Sequence, residues 1–201
     1  MGLSLSYCYR LLNKEDSTFV SRHLTKVLCR LLPDTTTLRL DACHVEEAAA
    51  QITLLVTSIQ TMVPCPLCPR LTRRVHSRYI RTLADLPWAA YQVRLHMQVR
   101  KFFGGTPACP RRIFTERLPA VAAPWARRTG RLARCLSALG LALGGETGSQ
   151  LAAQLGMPVS PALLLRRVRS SQPPASPAPR VGGVDDWAFH TGHRYGTLLV
   201  D

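Results

Sequence analysis

Cys65-Pro-Leu-Cys68 sets two thiolates at the spacing of a zinc knuckle, a short loop that turns both sulfurs toward one tetrahedral ion. Four donors complete such a shell. Cys109, in "TPACPRR", offers a third thiolate. The position where its own partner would fall, several residues earlier, is Gly104, which has no ligand atom. Two readings stay open: three thiolates completed by His76 or water, or a knuckle held by packing alone. Cys8, Cys29, Cys43 and Cys135 have no partner spacing, and Cys135 sits in an apolar stripe that makes it a core residue. The other group with chemical potential is the pair Asp185 and Asp186 in "VGGVDDWAFH". Neighbours on a strand point to opposite faces, so the two do not share an ion. If "HTGH" (190–193) is a turn, Asp185 pairs with Leu198, and Asp201 lies three residues further, about 10 Å away at strand rise. A two-metal phosphoryl-transfer centre needs carboxylates converging from separate segments, with ions about 3.5–4 Å apart. Asp185 is then one such carboxylate without its partners.

These groups sit in a chain with a lopsided charge. Its net charge is +14. Residues 61–140 hold 15 basic residues against Asp85 and Glu116, while the flanking thirds are close to neutral. Almost all of that excess is Arg, whose planar fork grips phosphate in two places, which favours DNA or RNA over a membrane surface. The ribbon-side candidates for phosphate contact are Arg73, Arg74, Arg78, Arg81, Arg111 and Arg112. On the helical side they are Arg127, Arg128, Arg131, Arg166, Arg167 and Arg169. No apolar run approaches the length of a membrane span, and the N-terminus lacks a secretory pattern. Seven cysteines without an export signal read as reduced thiols or metal ligands.

The elements that must position these residues are partly visible. "LRLDACHV" and "ITLLVTSIQ" read as strands bridged by "EEAAAQ". In "YQVRLHMQVRKF", Val93, Leu95, Met97 and Val99 alternate with Arg94, His96, Gln98 and Arg100, which predicts a half-buried strand with a basic outer face. A helix is predicted from Pro124, with Leu132, Cys135, Leu136, Leu139 and Leu143 as its stripe and Gly144-Gly145 as its end. Thr147 and Gln150 have capping-box spacing, predicting a second helix that buries Leu151, Ala152 and Leu155 and stops at Gly156. Ser160 and Pro161 open a third, with Leu164 and Val168 apolar and the arginines opposite. Helix, short turn, helix is the helix-turn-helix pattern. The first turn of the third helix, Pro161-Ala162-Leu163, offers no side-chain hydrogen bond to a base, so its contacts are thymine methyls and phosphates. "SSQPPASPAPR" is an extended linker.

Taken in order, "CPLC", "RVHSRYIRTLADLPW", "TPACPRRIFTERLP", "LGLALGGETGSQLAAQLGMPVS", "VDDWAF" and "GHRYGTLLVD" resemble the N-terminal half of bacterial insertion-sequence transposases of the ISL-three family. The resemblance runs from about Leu32 to Asp201. It implies a zinc-ribbon-like module and a helix-turn-helix that bind the terminal inverted repeats of the element as double-stranded DNA. It further implies a ribonuclease-H-like domain that cuts and joins DNA with Mg2+ through an acidic DDE triad. Asp185 matches the family's first catalytic aspartate. Gly104 stands where the family has its third zinc ligand, which leaves the Cys65, Cys68 and Cys109 set incomplete.

The expected fold is therefore α+β. It comprises an uncertain extension (1–31), a β-rich zinc-ribbon-like module (32–118), a helix-turn-helix module (119–170), a linker (171–180) and the first hairpin of a truncated catalytic domain (181–201). Such a chain is expected to bind DNA, to be inactive alone in strand transfer, and to sit in the cytoplasm at the nucleoid. Full-length relatives would oligomerise. A non-catalytic DNA-binding regulator and a decayed remnant are the rival readings.

Overall fold

The computed structural model describes residues 29–170, 183–190 and 194–200. The expectations for residues 1–26, for the linker 171–180 and for Asp201 fall outside them. The chain divides into two compact units, one ending at Val168 and one starting at Arg169.

The first unit is built on a mixed sheet. Strand β1 (Leu38–Glu46) and β2 (Gln51–Ser58) form one antiparallel hairpin. Strand β5 (Val75–Trp88) and β6 (Tyr91–Phe103) form a second, longer one. Between them in sequence lies a short hairpin of β3 (Val63–Pro64) and β4 (Leu71–Thr72). The two large hairpins meet where β2 runs parallel to β6, giving the order β1-β2-β6-β5. β6 has only two edges, and β5 occupies one along most of its length. β7 (Ile113–Thr115) must therefore share the other edge with β2, and it pairs with Lys101–Phe103 beyond the end of β2.

β6 alternates as expected. Val93, Leu95, Met97 and Val99 are buried on one face with Leu38, Leu40, Leu54, Val56 and Leu83, and Leu118, Val121 and Ala122 close over them. Each fully buried Leu here contributes about 1.5–3 kcal/mol. β5 is a 14-residue strand that periodicity does not announce. Its inward positions include Ser77, Arg81 and Asp85 as well as Tyr79 and Leu83, so the apolar alternation is broken.

Three helices follow, α1 (Gly130–Leu143), α2 (Glu146–Gln154) and α3 (Pro161–Ser170). The expected start of α1 at Pro124 is corrected to Gly130. Residues 127–129 instead line the free edge of β5: the Ala84 amide donates to the Arg127 carbonyl at 3.0 Å, and the Thr129 amide to the Ala84 carbonyl at 2.9 Å. Thr129 then caps the helix by accepting from the Leu132 amide. The predicted capping box at Thr147 is also corrected. The Gly144-Gly145 turn closes at once, α2 begins at Glu146, and Gln150 bonds the Glu146 carboxylate at 3.2 Å. α2 buries Gly148, Ser149 and Ala152, with Leu155 left 48% exposed. Small residues are needed because the helices touch closely: a Cβ at Gly140 of α1 would lie 3.1 Å from Val168 and 3.3 Å from Leu164 of α3. Leu132, Leu136, Ala152, Met157 and Leu164 form the shared core. Leu164 and Val168 face inward as expected.

In the second unit, β8 (Gly183–His190) pairs antiparallel with β9 (Arg194–Val200). Asp185 stands opposite Leu198 as read from the sequence, but the expected turn at 190–193 is corrected: His190 ends β8 opposite Arg194, and an irregularity between Ala188 and His190 restores the register.

Candidate metal centre and nucleic-acid interface

The β3–β4 hairpin presents Cys65 and Cys68, and the loop after β6 presents Cys109. The knuckle closes on itself, with the Cys65 amide donating to the Arg70 carbonyl at 3.0 Å. Beneath it, Val63, Phe102 and Phe114 form a small apolar core that holds Cys65 and Cys109 buried. The three sulfurs lie within 4.8 Å of one another, and Cys65 and Cys109 are 3.9 Å apart. The Arg70 amide and the Thr106 hydroxyl favour the Cys68 thiolate and bring that thiol down to about 7. The Arg111 amide acts in the same sense on Cys109, but burial and the neighbouring Cys68 and Cys65 outweigh it and leave that thiol raised.

This donor set fits zinc in its chemistry and supplies three positions of a four-coordinate shell. His76 is not the fourth. It is exposed, its Nδ1 sits 3.0 Å from the Ser77 hydroxyl, and its ring packs edge-on against Phe103. Gly104 is closed to any side chain, because a Cβ there would lie 2.2 Å from the Arg111 carbonyl oxygen. Among the described residues no further His, Cys, Asp or Glu joins the cluster. The described residues thus leave the fourth position of a bound zinc open to water or another donor.

The same loop gathers arginines. The Phe103 amide donates to the Arg74 carbonyl at 2.9 Å, and the Gly104 amide to the Arg112 carbonyl at 2.7 Å. The backbones of Arg73–Arg74 and of Arg111–Arg112, from two distant segments, are thus brought together beside Phe103–Gly104, and all four side chains are exposed. Arg78 is exposed on the outer face of β5, and Arg94 on that of β6. Arg127, Arg166 and Arg169 are exposed, and Arg128 and Arg167 half-buried.

Two of the expected phosphate contacts point elsewhere. Arg81 is three residues from Arg78 and so faces the opposite side of the sheet, where its guanidinium donates to the Ala123 carbonyl at 3.1 Å and to that of Ala126. Arg131 donates through Nε to Asp85 at 2.8 Å and through a terminal nitrogen to the Leu31 carbonyl at 2.7 Å. Asp85, with no side-chain exposure, also accepts from the Thr129 hydroxyl at 2.6 Å and the Leu86 amide at 2.9 Å. The sequence reading missed this carboxylate. It also missed Arg100, whose guanidinium joins the buried Glu116 at 2.7 Å, the Ser58 hydroxyl and the Gln60 carbonyl. The only acids of the basic third were the available signal for both pairs.

Residues 62–103, which hold the knuckle and the β5–β6 hairpin, match the family model described as the zinc-finger of transposase IS204/IS1001/IS1096/IS1165. This match agrees with the resemblance to ISL-three transposases read from the sequence. Among individual proteins, the chain is similar to the transposase for insertion sequence element IS1001 from Bordetella parapertussis. The two are 29% identical over 158 residues, covering 78% of this chain and 37% of the relative. The chain thus spans little more than a third of that relative's length. No solved structure matches it. Among the described residues no helix is long and apolar enough to cross a membrane.

Proposed function

We propose that this chain is the DNA-binding part of an insertion-sequence transposase and that it engages duplex DNA at the terminal inverted repeats of its element. The observation that carries the reading is that two backbone hydrogen bonds bring the exposed pairs Arg73–Arg74 and Arg111–Arg112 together beside Phe103–Gly104, on the segments that follow the knuckle and Cys109. Four exposed guanidinium groups on one loop cluster, with no exposed acid among them, form a phosphate-binding tip. Zinc on Cys65, Cys68 and Cys109 would lock that tip by tying the β3–β4 knuckle to the loop after β6. The ion supplies structural cross-linking and no reaction step. α2, the turn and α3 act as the helix-turn-helix, with Arg166 and Arg169 on phosphates and the apolar first turn of α3 near thymine methyls. Asp185 is the first carboxylate of a DDE triad whose Mg2+ chemistry requires the other two acids.

The test is fluorescence anisotropy of the purified chain on duplexes carrying the element ends, titrated with salt. With about six phosphates contacted, log K falls against log salt with a slope near −5. A flat response removes the reading.

A further inference from the structure

A cavity of about 510 Å³ opens between the outer face of β5–β6 and the helices. Leu132, Leu136 and Met157 form its apolar wall, and Arg94, Arg127 and Arg128 line it. That volume falls within the range of small-molecule sites, about 300–1,000 Å³. None of these arginines has a carboxylate within ion-pair distance among the described residues. Asp85 also borders the cavity, but Arg131, Thr129 and the Leu86 amide take up its oxygens. Burial, and then the charge of Arg167, pulls the half-buried Arg128 below its ordinary range. A half-buried cation without a counter-charge is costly, and an anion entering the cavity relieves that cost at Arg128, with Arg94 and Arg127 on the same lining.

The shape of the anion follows from the lining. Guanidinium forks match a phosphate. The apolar wall, with Thr82 and Gln92 beside it, matches a base and sugar better than it matches a bare inorganic ion. Two residues before Arg127, Trp125 is held out 91% exposed with φ of 63°, a left-handed conformation that large side chains rarely adopt. An aromatic face presented to solvent beside arginines is a stacking platform for a neighbouring base.

We propose that this cavity seats one nucleoside monophosphate unit, its phosphate on Arg94, Arg127 and Arg128 and its base on the Leu132–Leu136–Met157 wall. The source of that unit is a nucleotide of the bound DNA taken out of the stack. The proposal rests on the DNA-binding reading above for the source, and on the cavity alone for the chemistry.

The experiment uses the full chain. Calorimetry with deoxyadenylate, deoxyadenosine and inorganic phosphate is followed by competition with a duplex carrying an unpaired terminal nucleotide. Deoxyadenylate is expected to bind at least tenfold more tightly than phosphate or the nucleoside, and Arg128→Gln to weaken it tenfold or more. Arg94→Gln, at an exposed strand position, repeats the test without disturbing the helix packing, and thermal unfolding of both variants separates binding loss from misfolding. Displacement of deoxyadenylate by the frayed duplex supports DNA as the source. Retention of the nucleotide while the duplex binds elsewhere overturns that source. Equal affinity for phosphate overturns the nucleotide assignment, and no binding overturns the site. A chain that takes deoxyadenylate yet ignores every duplex keeps the cavity and fails the DNA-binding reading instead.

Discussion

Two buried carboxylates, Glu116 and Asp85, hold the two ends of the β5–β6 hairpin, and they do it differently. Glu116 sits where β2 and β7 meet along β6, and its Arg100 partner has two further acceptors, Ser58 and Gln60. Asp85 sits where the helices dock, and its side chain bonds the Thr129 hydroxyl and the Arg131 guanidinium, beside the backbone bonds that join Ala84 to Arg127 and Thr129. One end is a clasp within a sheet whose arginine has spare acceptors; the other is a buried carboxylate that pins a sheet to the start of a helical bundle. The arginines paired to buried carboxylates or backbone carbonyls are therefore architectural, and the exposed ones are available to a polyanion.

Removing the pin should have the largest effect. Asp85→Asn leaves Arg131 without its counter-charge and is expected to cost about 3–5 kcal/mol in urea unfolding. A loss near zero would mean that apolar packing and the Ala84 backbone bonds hold the helices without the carboxylate. Glu116→Gln keeps an acceptor for the Arg100 amide and leaves Ser58 and Gln60 in place, so about 1.5–3 kcal/mol is expected in the same measurement. Equal losses at both positions would erase the distinction between clasp and pin.

The outward set separates by a different observable. Replacing Arg73, Arg74, Arg111 and Arg112 together by Gln should flatten the salt slope of DNA binding by about 3 to 4 units. Arg81→Gln should leave the slope unchanged and lower only thermal stability. The smallest effect concerns protonation. Because the fold lowers the Cys68 thiol to about 7, its thiolate persists as pH falls from the ordinary thiol range and is lost through about pH 7. Alkylation of the metal-free chain, followed by mass spectrometry, should show Cys68 reacting with a midpoint near pH 7 and Cys109 reacting only at higher pH.

The sequence made some of this legible. β6 was plain because its four inward residues are all apolar, and α3 because Ser160-Pro161 and the Leu164–Val168 spacing agree. β5 was hidden for two reasons. Its inward face carries Arg81 and Asp85, which bond to the helical side, and its hairpin turns on Ala89-Ala90 with Ala89 at φ of 51°. No Asn-Gly or Asp-Gly marks that turn. Pro124 misled because the helix start is set by a tertiary contact, Thr129 on Asp85, that local spacing does not encode. The thiols were legible from their spacing, and Gly104 from its lack of a side chain. That its Cβ position is filled by the Arg111 carbonyl required the fold.

The parallel seam between β2 and β6 has a bearing on how the chain assembles. Each large hairpin closes on itself within a few residues, so both are fast local events. Their union is not local: it registers Gln51–Thr57 against Gln92–Gln98 across some forty intervening residues. That single zipper is then the slow, rate-setting association of the first unit. Truncating Leu54 or Leu95 on it should retard refolding more than a comparable loss among the helices.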